Sequence, residues 1–508
     1  MNVASRVEST GVAGRIHVSK DTAECLRKCN KGHWLVKREN GSVIAKGKGD
    51  IQTFWIGKAV EQARYETASE SDSSENLDNV AEGQFAQQLC HTEGREDRLV
   101  DWNVTVFLDI LKHIVARREA LAKAGMIRKY GLPGDDPEVL LRMNMHNYKP
   151  INEVREIIAL PEFNDVAEAM KGNVQSVDIP SEVIAELRRY ISTVAGLYRS
   201  NPFHNFEHAS HVTMSVIKLL SRIKAPTDLD LMEGHESSSE FSQDLHAHLH
   251  DHTYGITSDP LTQFACAFAA LVHDVDHEGV PNAQLVKEGA AVATMYDERS
   301  VAEQNSLVIS WDLLMSDRFA KLRNTICTTA TELTRFRELA TNAVMATDIV
   351  DKDLKQLRNN RWDKAFKRDN AYINVRDNED EEEDRESINR KATIVIEHLI
   401  QASDVSHTMQ HWHVYRKWNE NLFRESYAAF IAGRATADPS LNWYRGEIGF
   451  FDFYIIPLAK KLESCGVFGK SSDEFLNYAK SNREEWESRG ESIVAELVAN
   501  VKKEYGES

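Results

Sequence analysis

Residues 264–272, F-A-C-A-F-A-A-L-V, are the longest apolar stretch of the chain, and they run straight into His273-Asp274. Such a run reads as a helix buried on all sides. An imidazole and a carboxylate delivered at its end are costly to bury unless something neutralises and coordinates them. Two further stretches carry the same chemistry. N-P-F-H-N-F-E-H-A-S-H (201–211) sets His204 and His208 four residues apart, on one face if they lie on a helix. L-I-Q-A-S-D-V-S-H (399–407) brings a second apolar helix to Asp404. One such group reads as a satisfied polar group of the core; three together point to a shared metal centre. Mixed imidazole and carboxylate ligands suit zinc, manganese, iron and magnesium, and a shared carboxylate bridges two ions.

Charge narrows what such a centre could act on. Lys+Arg 61 against Asp+Glu 79 leaves a net charge of −18 over 508 residues. A polyanionic nucleic acid or an anionic membrane would be repelled by that field. Positive charge for any phosphate substrate must therefore be local. Six cysteines without paired spacing read as reduced thiols of the cytoplasm. The longest apolar stretch is about half of what a membrane span needs, and Met1–Lys20 lacks the apolar core of a signal peptide.

The chain falls into unequal parts. Residues 1–57 are β-leaning, with R-I-H-V-S (15–19), a helical pattern over Ser19–Cys29, and a strand, Asn40-Gly41 turn, strand, Gly-rich turn, strand reading of 34–57. Residues 58–97 contain T-A-S-E-S-D-S-S-E-N (67–76) and read as an acidic, Ser-rich linker. From Arg98 onward apolar residues recur at helical intervals, as in 104–115, 182–194, 393–400 and 451–462, so residues 98–508 form a mainly α body. Two polar insertions interrupt it. Residues 233–259 include H-A-H-L-H-D-H (246–252), expected in a mobile loop that would bind metal weakly, and the acidic run 376–386 is expected to be a solvated loop.

Residues about 150–490 resemble the catalytic domain of class I cyclic nucleotide phosphodiesterases, a branch of the HD metallohydrolase superfamily. The resemblance rests on F-H-N-F-E-H (203–208), with Phe203 where the family has Tyr, and on H-D-V-D-H-E-G (273–279) followed by Asn282. It rests also on A-S-D-V-S (402–406) and E-I-G-F-F-D-F-Y-I-I-P-L (447–458). It implies a multi-helix fold in which His208, His273, Asp274 and Asp404 hold a zinc-like ion and Asp274 bridges to a second, magnesium or manganese. A hydroxide activated by the two metals would attack phosphorus, with His204 as general acid. His277 and Glu303 would orient the ligands, the hydroxide or the acid, and Asn205, Glu447 and Phe450 would contact substrate, Phe450 by stacking on the purine. Where the family reads E-N-H-H this chain reads E-Q-N-S (303–306), which bears on the outer groups only. Where the family has a purine-pairing glutamine this chain has Glu447. An ionised carboxylate only accepts hydrogen bonds, and guanine offers two donors, so cyclic GMP is the expected preference.

N-V-A-S-R (2–6), G-R-I-H-V-S and A-K-G-K-G-D-I-Q-T-F-W-I resemble the C-terminal end of a class III nucleotidyl cyclase domain of guanylate cyclase type, a small α/β piece in which Asn2 and Arg6 would meet nucleotide. The cyclase's metal-binding aspartates would lie upstream. Residues 1–57 alone are therefore not expected to synthesise cyclic nucleotide, and the chain reads as part of a cyclase–phosphodiesterase fusion. It would be membrane-associated if the parent is a receptor cyclase, and cytoplasmic otherwise. The expected partner is the cyclic nucleotide, with no nucleic-acid polymer and no direct membrane insertion; a homodimer is compatible with this. Two alternatives stand beside the hydrolase: another HD-type phosphohydrolase, and a non-catalytic domain that binds cyclic nucleotide and regulates the fused cyclase.

Overall fold

The computed structural model describes residues 16–28, 35–45, 49–56, 79–125, 149–223, 239–367 and 381–506. The chain divides into two compact units, Met1–Leu89 and Cys90–Ser508. In the first, strands β1 (Ile16–Ser19), β2 (Leu35–Ala45) and β3 (Gly49–Ile56) form an antiparallel sheet in the order β1-β3-β2. Helix α1 (Lys20–Lys28) begins as the sequence suggests, with Ser19 Oγ accepting from the Thr22 backbone nitrogen. The Asn40-Gly41 expectation is corrected. Lys37 pairs with Phe54 and Ser42 with Gln52, so residues 38–41 lie opposite Thr53 alone. The dipeptide makes a bulge inside one long strand, because both flanks return to the same partner strand. Asn2 and Arg6 lie outside the described residues.

The second unit is helical, as expected. Its longer helices are α2 (Asn79–Lys123), α3 (Ser181–Leu197), α4 (Phe206–Ser221), α5 (Ser239–His252), α6 (Pro260–Val272), α7 (Val301–Met315), α8 (Ala330–Met345), α9 (Glu381–Asp404), α10 (Trp412–Ile431), α11 (Trp443–Phe450), α12 (Ile456–Ser464) and α13 (Lys470–Glu504). Three loop expectations need correction. The cluster 246–252 lies on α5, residues 381–386 of the acidic run open α9, and residues 79–97 of the linker belong to α2. Each is polar yet free of Pro, and a helix with its charges toward water satisfies its own backbone.

Helix α6 explains the architecture. Every residue of it except Gln263 is buried, so it needs neighbours on all sides. It packs against α4, α8 and α9, and α4 packs against α9 in turn. Edge-to-face contacts of Phe264 with Phe107, and of Phe268 with Phe336, both at 5.2 Å, lock it to α2 and α8. The N-terminus of α4 and the C-termini of α6 and α9 are the ends that carry the histidines and aspartates. Among the described residues no helix is long and apolar enough to cross a membrane.

Candidate active site

Helix α4 starts at Phe206, two residues later than a shared helical His204–His208 face would require. Asn205 is its N-cap, accepting from the His208 backbone nitrogen at 3.0 Å, so His204 sits in the turn before the helix. The same asparagine donates to Asn201 O at 2.8 Å and Pro202 O at 3.1 Å. Both ends of the Asn205 amide therefore serve the turn that carries His204.

The metal-ligand expectation maps onto one cluster. His208 Nε2 lies 3.1 Å from Asp404 Oδ1 and 3.6 Å from Asp274 Oδ2. His273 Nε2 lies 3.0 Å from Asp274 Oδ2 and 3.3 Å from Asp404 Oδ1. His273 Nδ1 donates to Ala270 O at 3.0 Å, which fixes the ring with Nε2 toward the carboxylates. Both imidazoles are buried, and His273 Nε2 makes no hydrogen bond. Burial opposes ionisation of Asp274 and Asp404, but His273 and His204 beside Asp274, and His208 and His273 beside Asp404, hold both carboxyls below the usual carboxylate range. His208, His273 and Asp274 offer ligand atoms close enough to share a cation, with Asp404 Oδ1 3.1 and 3.3 Å from the two imidazoles. His204, Asp274 and His277 form a second group of potential ligands that shares Asp274 with the first.

Glu303, on α7, lies close enough to Asp274 to feel its charge. Burial, reinforced by the Asp348 carboxylate, pushes its carboxyl up to about 8. Asn282 holds it, donating to Glu303 Oε2 at 2.8 Å and accepting from the Ala302 backbone nitrogen at 2.9 Å. Asp348, absent from the sequence reading, is itself fixed by Ser300 Oγ at 2.7 Å. Carboxyls crowded this way ionise readily only with positive charge beside them. The E-Q-N-S departure resolves into separate duties. Gln304 donates to Arg299 O and Ser306 to Ala302 O, while Asn305 donates to Asp276 Oδ2 at 3.2 Å. Asp276 sits in the left-handed region at φ 63, held also by Arg199 Nε at 2.8 Å.

His204 is set apart by a residue the sequence reading did not find. Its Nδ1 donates to Oε1 of Glu425, a buried residue of α10, and Glu425 Oε2 accepts the backbone nitrogens of Phe203 and His204, both at 2.9 Å. Burial alone would discharge the His204 ring, but Asp274 and the bonded Glu425 raise its pKa overall. His277 stacks on it, ring centroids 3.8 Å apart, and is pushed down to about 3 by burial and by the His204 charge. Gly279 N donates to His277 Nδ1, which fits the neutral ring. The pKa values of two neighbouring histidines are thus pushed in opposite directions. Phe203 packs on His208 at 4.7 Å and edge-on to Trp418, filling apolar space around the ligand.

Glu447 and Phe450 lie one turn apart on α11. Tyr415 donates to Glu447 Oε2 at 2.7 Å, and burial pushes the carboxyl up to about 7. Phe450 stacks on Tyr454 at 5.4 Å, and Tyr454 is close enough to feel the Asp404 charge.

With this geometry in place, the comparisons decide the family. The family model for 3′5′-cyclic nucleotide phosphodiesterase matches residues 203–472. The chain belongs to the cyclic nucleotide phosphodiesterase family. The model for the adenylate and guanylate cyclase catalytic domain matches residues 1–58. Among cyclic nucleotide phosphodiesterases, the chain is 25% identical over 333 residues to the 3′,5′-cyclic-nucleotide phosphodiesterase regA of Dictyostelium discoideum, covering 62% of this chain and 35% of that protein. It is 24% identical over 329 residues to the 3′,5′-cyclic-AMP phosphodiesterase 4C of Rattus norvegicus, covering 62% and 52%. It is 21% identical over 316 residues to the cGMP-specific 3′,5′-cGMP phosphodiesterase 3 of D. discoideum, covering 61% and 57%. The chain thus spans between 35% and 57% of the length of these relatives. The phosphodiesterase domain of the RhoPDE fusion protein from the choanoflagellate Salpingoeca rosetta aligns with TM-score 0.44 and 21% identity, covering 60% of this chain and 84% of that one.

Proposed function

We propose that the chain hydrolyses 3′,5′-cyclic nucleotides to 5′-monophosphates, with cyclic GMP preferred. The observation that carries this reading is the convergence of His208, His273, Asp274 and Asp404 from three mutually packed helices. Those four residues would hold a zinc-like cation, and Asp274 would be shared with a magnesium- or manganese-like one beside Glu303. When bound, the cations make hydroxide available near neutral pH and neutralise charge on the phosphoryl oxygens.

Other residues of the chain complete the reaction. As a water oxygen bonds to phosphorus, the P–O3′ bond breaks and the 3′-oxygen takes the proton of His204 Nε2. Glu425, bound at Nδ1, keeps that proton on Nε2 and keeps the ring charged. His277 fixes the ring plane by stacking and, being neutral, does not compete as acid. Phe450 stacks on the purine, and Glu447, steadied by Tyr415, accepts from guanine N1–H and the 2-amino group once ionised. The same reading makes residues 1–58 the remnant of a fused cyclase. Its cytoplasmic setting is supported by the free thiols Cys266, Cys327 and Cys465.

Hydrolysis of cyclic GMP in ¹⁸O-water tests the reaction. One labelled oxygen should enter the phosphate of 5′-GMP, and His204→Ala should slow release by about 10²–10⁴-fold. A chain that binds cyclic GMP yet releases no 5′-GMP would be a regulatory domain instead.

A further inference from the structure

A cavity of about 280 Å³ lies at the other end of α6 from His273-Asp274. Thirteen helical residues separate the two places, a distance of about 20 Å, so they share one rigid element and no side chains. Arg117, Arg118 and Arg335 line the cavity together with Asp259 and Glu332. Three guanidiniums against two carboxylates leave one positive charge over, in a chain of net charge −18.

The arginines are unequally satisfied. Arg117 Nη1 donates to Ser258 O at 2.6 Å and Asp259 Oδ1 at 2.9 Å. The terminal nitrogens of Arg118 are taken by Thr325 O and Ile326 O, both at 3.1 Å. Arg335 Nη2 reaches both oxygens of Asp259, but at 3.4 and 3.5 Å, and Asp259 is itself buried and already accepts from Thr262 Oγ1 at 2.7 Å. The Nε atoms of Arg335 and Arg118 are buried without a hydrogen-bond partner. The surplus guanidinium charge lining the cavity is not matched by carboxylates, and an anion there would meet the terminal N–H groups. Ile114, Leu121, Pro161, Pro260 and Leu261 give the wall an apolar part that suits an apolar body, beside Thr328, Thr329 and Thr331.

We propose that this cavity binds a small organic anion, a phosphate or carboxylate carried on an apolar body, with Arg335 as its principal anchor. The site stands independently of the reaction proposed above. Phenyl phosphate, benzoate and inorganic phosphate titrated calorimetrically into the full chain test it. Phenyl phosphate or benzoate should bind wild type, and Arg335→Met should weaken that binding about tenfold or more. Thr331→Glu should do the same. That substitution puts an acidic side chain in the first turn of α8, where it favours the helix but repels an anion, so it remains informative if Arg335→Met folds poorly. Hydrolysis of cyclic GMP should stay within about twofold of wild type in both variants, since neither residue belongs to the catalytic machinery. Equal binding by all three proteins would place the anion elsewhere, at the cation cluster, and overturn the proposal. Absence of binding to wild type would leave a structural ion-pair cluster only. Inorganic phosphate binding as tightly as phenyl phosphate would overturn the role given to the apolar wall.

Discussion

The Glu425 carboxylate engages His204 twice, taking its backbone nitrogen at 2.9 Å on Oε2 and its ring Nδ1 on Oε1. One buried side chain thereby sets the position and tautomer of the proposed acid and adds to the upward push that Asp274 gives its pKa. Glu425→Gln keeps the size but removes the charge. We expect kcat to fall by about 10–100-fold with KM little changed, because an orienting partner is lost and the substrate contacts are not. Steady-state kinetics on cyclic GMP give the split directly. A drop in KM-dependent binding alone would argue that Glu425 serves only the fold.

Chelation should destabilise the protein as well as stop it. A cation held at 100 times its dissociation constant stabilises the native state by about 2.7 kcal/mol. Without it, Asp274 and Asp404 keep only the two histidines as partners. Calorimetric melting should show a midpoint lower by a few degrees in chelator, recovering with zinc plus magnesium. Asp404→Asn should melt at the same temperature with and without chelator.

Base preference should depend on pH through Glu447. Its carboxyl is pushed up to about 7 by burial, so it is mostly protonated below that pH and mostly ionised above it. A protonated carboxyl has a donor and an acceptor, as adenine's edge requires; the ionised form only accepts, as guanine's edge requires. The ratio of cyclic GMP to cyclic AMP kcat/KM should therefore rise between about pH 6 and 8. Glu447→Gln, which does not titrate, should flatten that rise. A ratio independent of pH in wild type would contradict the role of Glu447.

Gly279 closes the second histidine motif at φ +71, and an added Cβ would lie 3.2 Å from Asn201 Oδ1 and 3.4 Å from Glu425 Cγ. Asn201 donates to His277 O at 2.7 Å and to His204 O at 3.2 Å, so it ties the two motifs together. Gly279→Ala should destabilise by about 1–3 kcal/mol in urea unfolding and lower kcat as well, since strain there moves both histidines.

What was legible in the sequence follows from how each residue announces itself. His273, Asp274 and Asp404 terminate apolar helices, and that abrupt change of polarity is visible without a structure. Asp348 follows A-V-M-A-T in the same way at the end of α8, so the same signal was available for it. Glu425 gave none locally, being one of two glutamates in a mixed polar and apolar helix, α10. Only its spacing, seven residues after the buried Trp418, places it on the inward face. The four-residue spacing of His204 and His208 cannot reveal that Asn205 caps α4 between them. The His-rich α5 and the acidic start of α9 were taken for loops because polar composition reports exposure to water, not backbone conformation. Asn40-Gly41 was read as a hairpin turn because a dipeptide cannot show that both flanks share one partner strand.

Release of 5′-GMP from cyclic GMP by the full chain, followed with metals present, removed and restored, tests the central claim most directly. We predict turnover that chelator abolishes and zinc plus magnesium recovers, with cyclic GMP preferred over cyclic AMP above about pH 7. Binding of cyclic GMP with no 5′-GMP formed under any metal condition would contradict the assignment of His208, His273, Asp274 and Asp404 as a working catalytic centre.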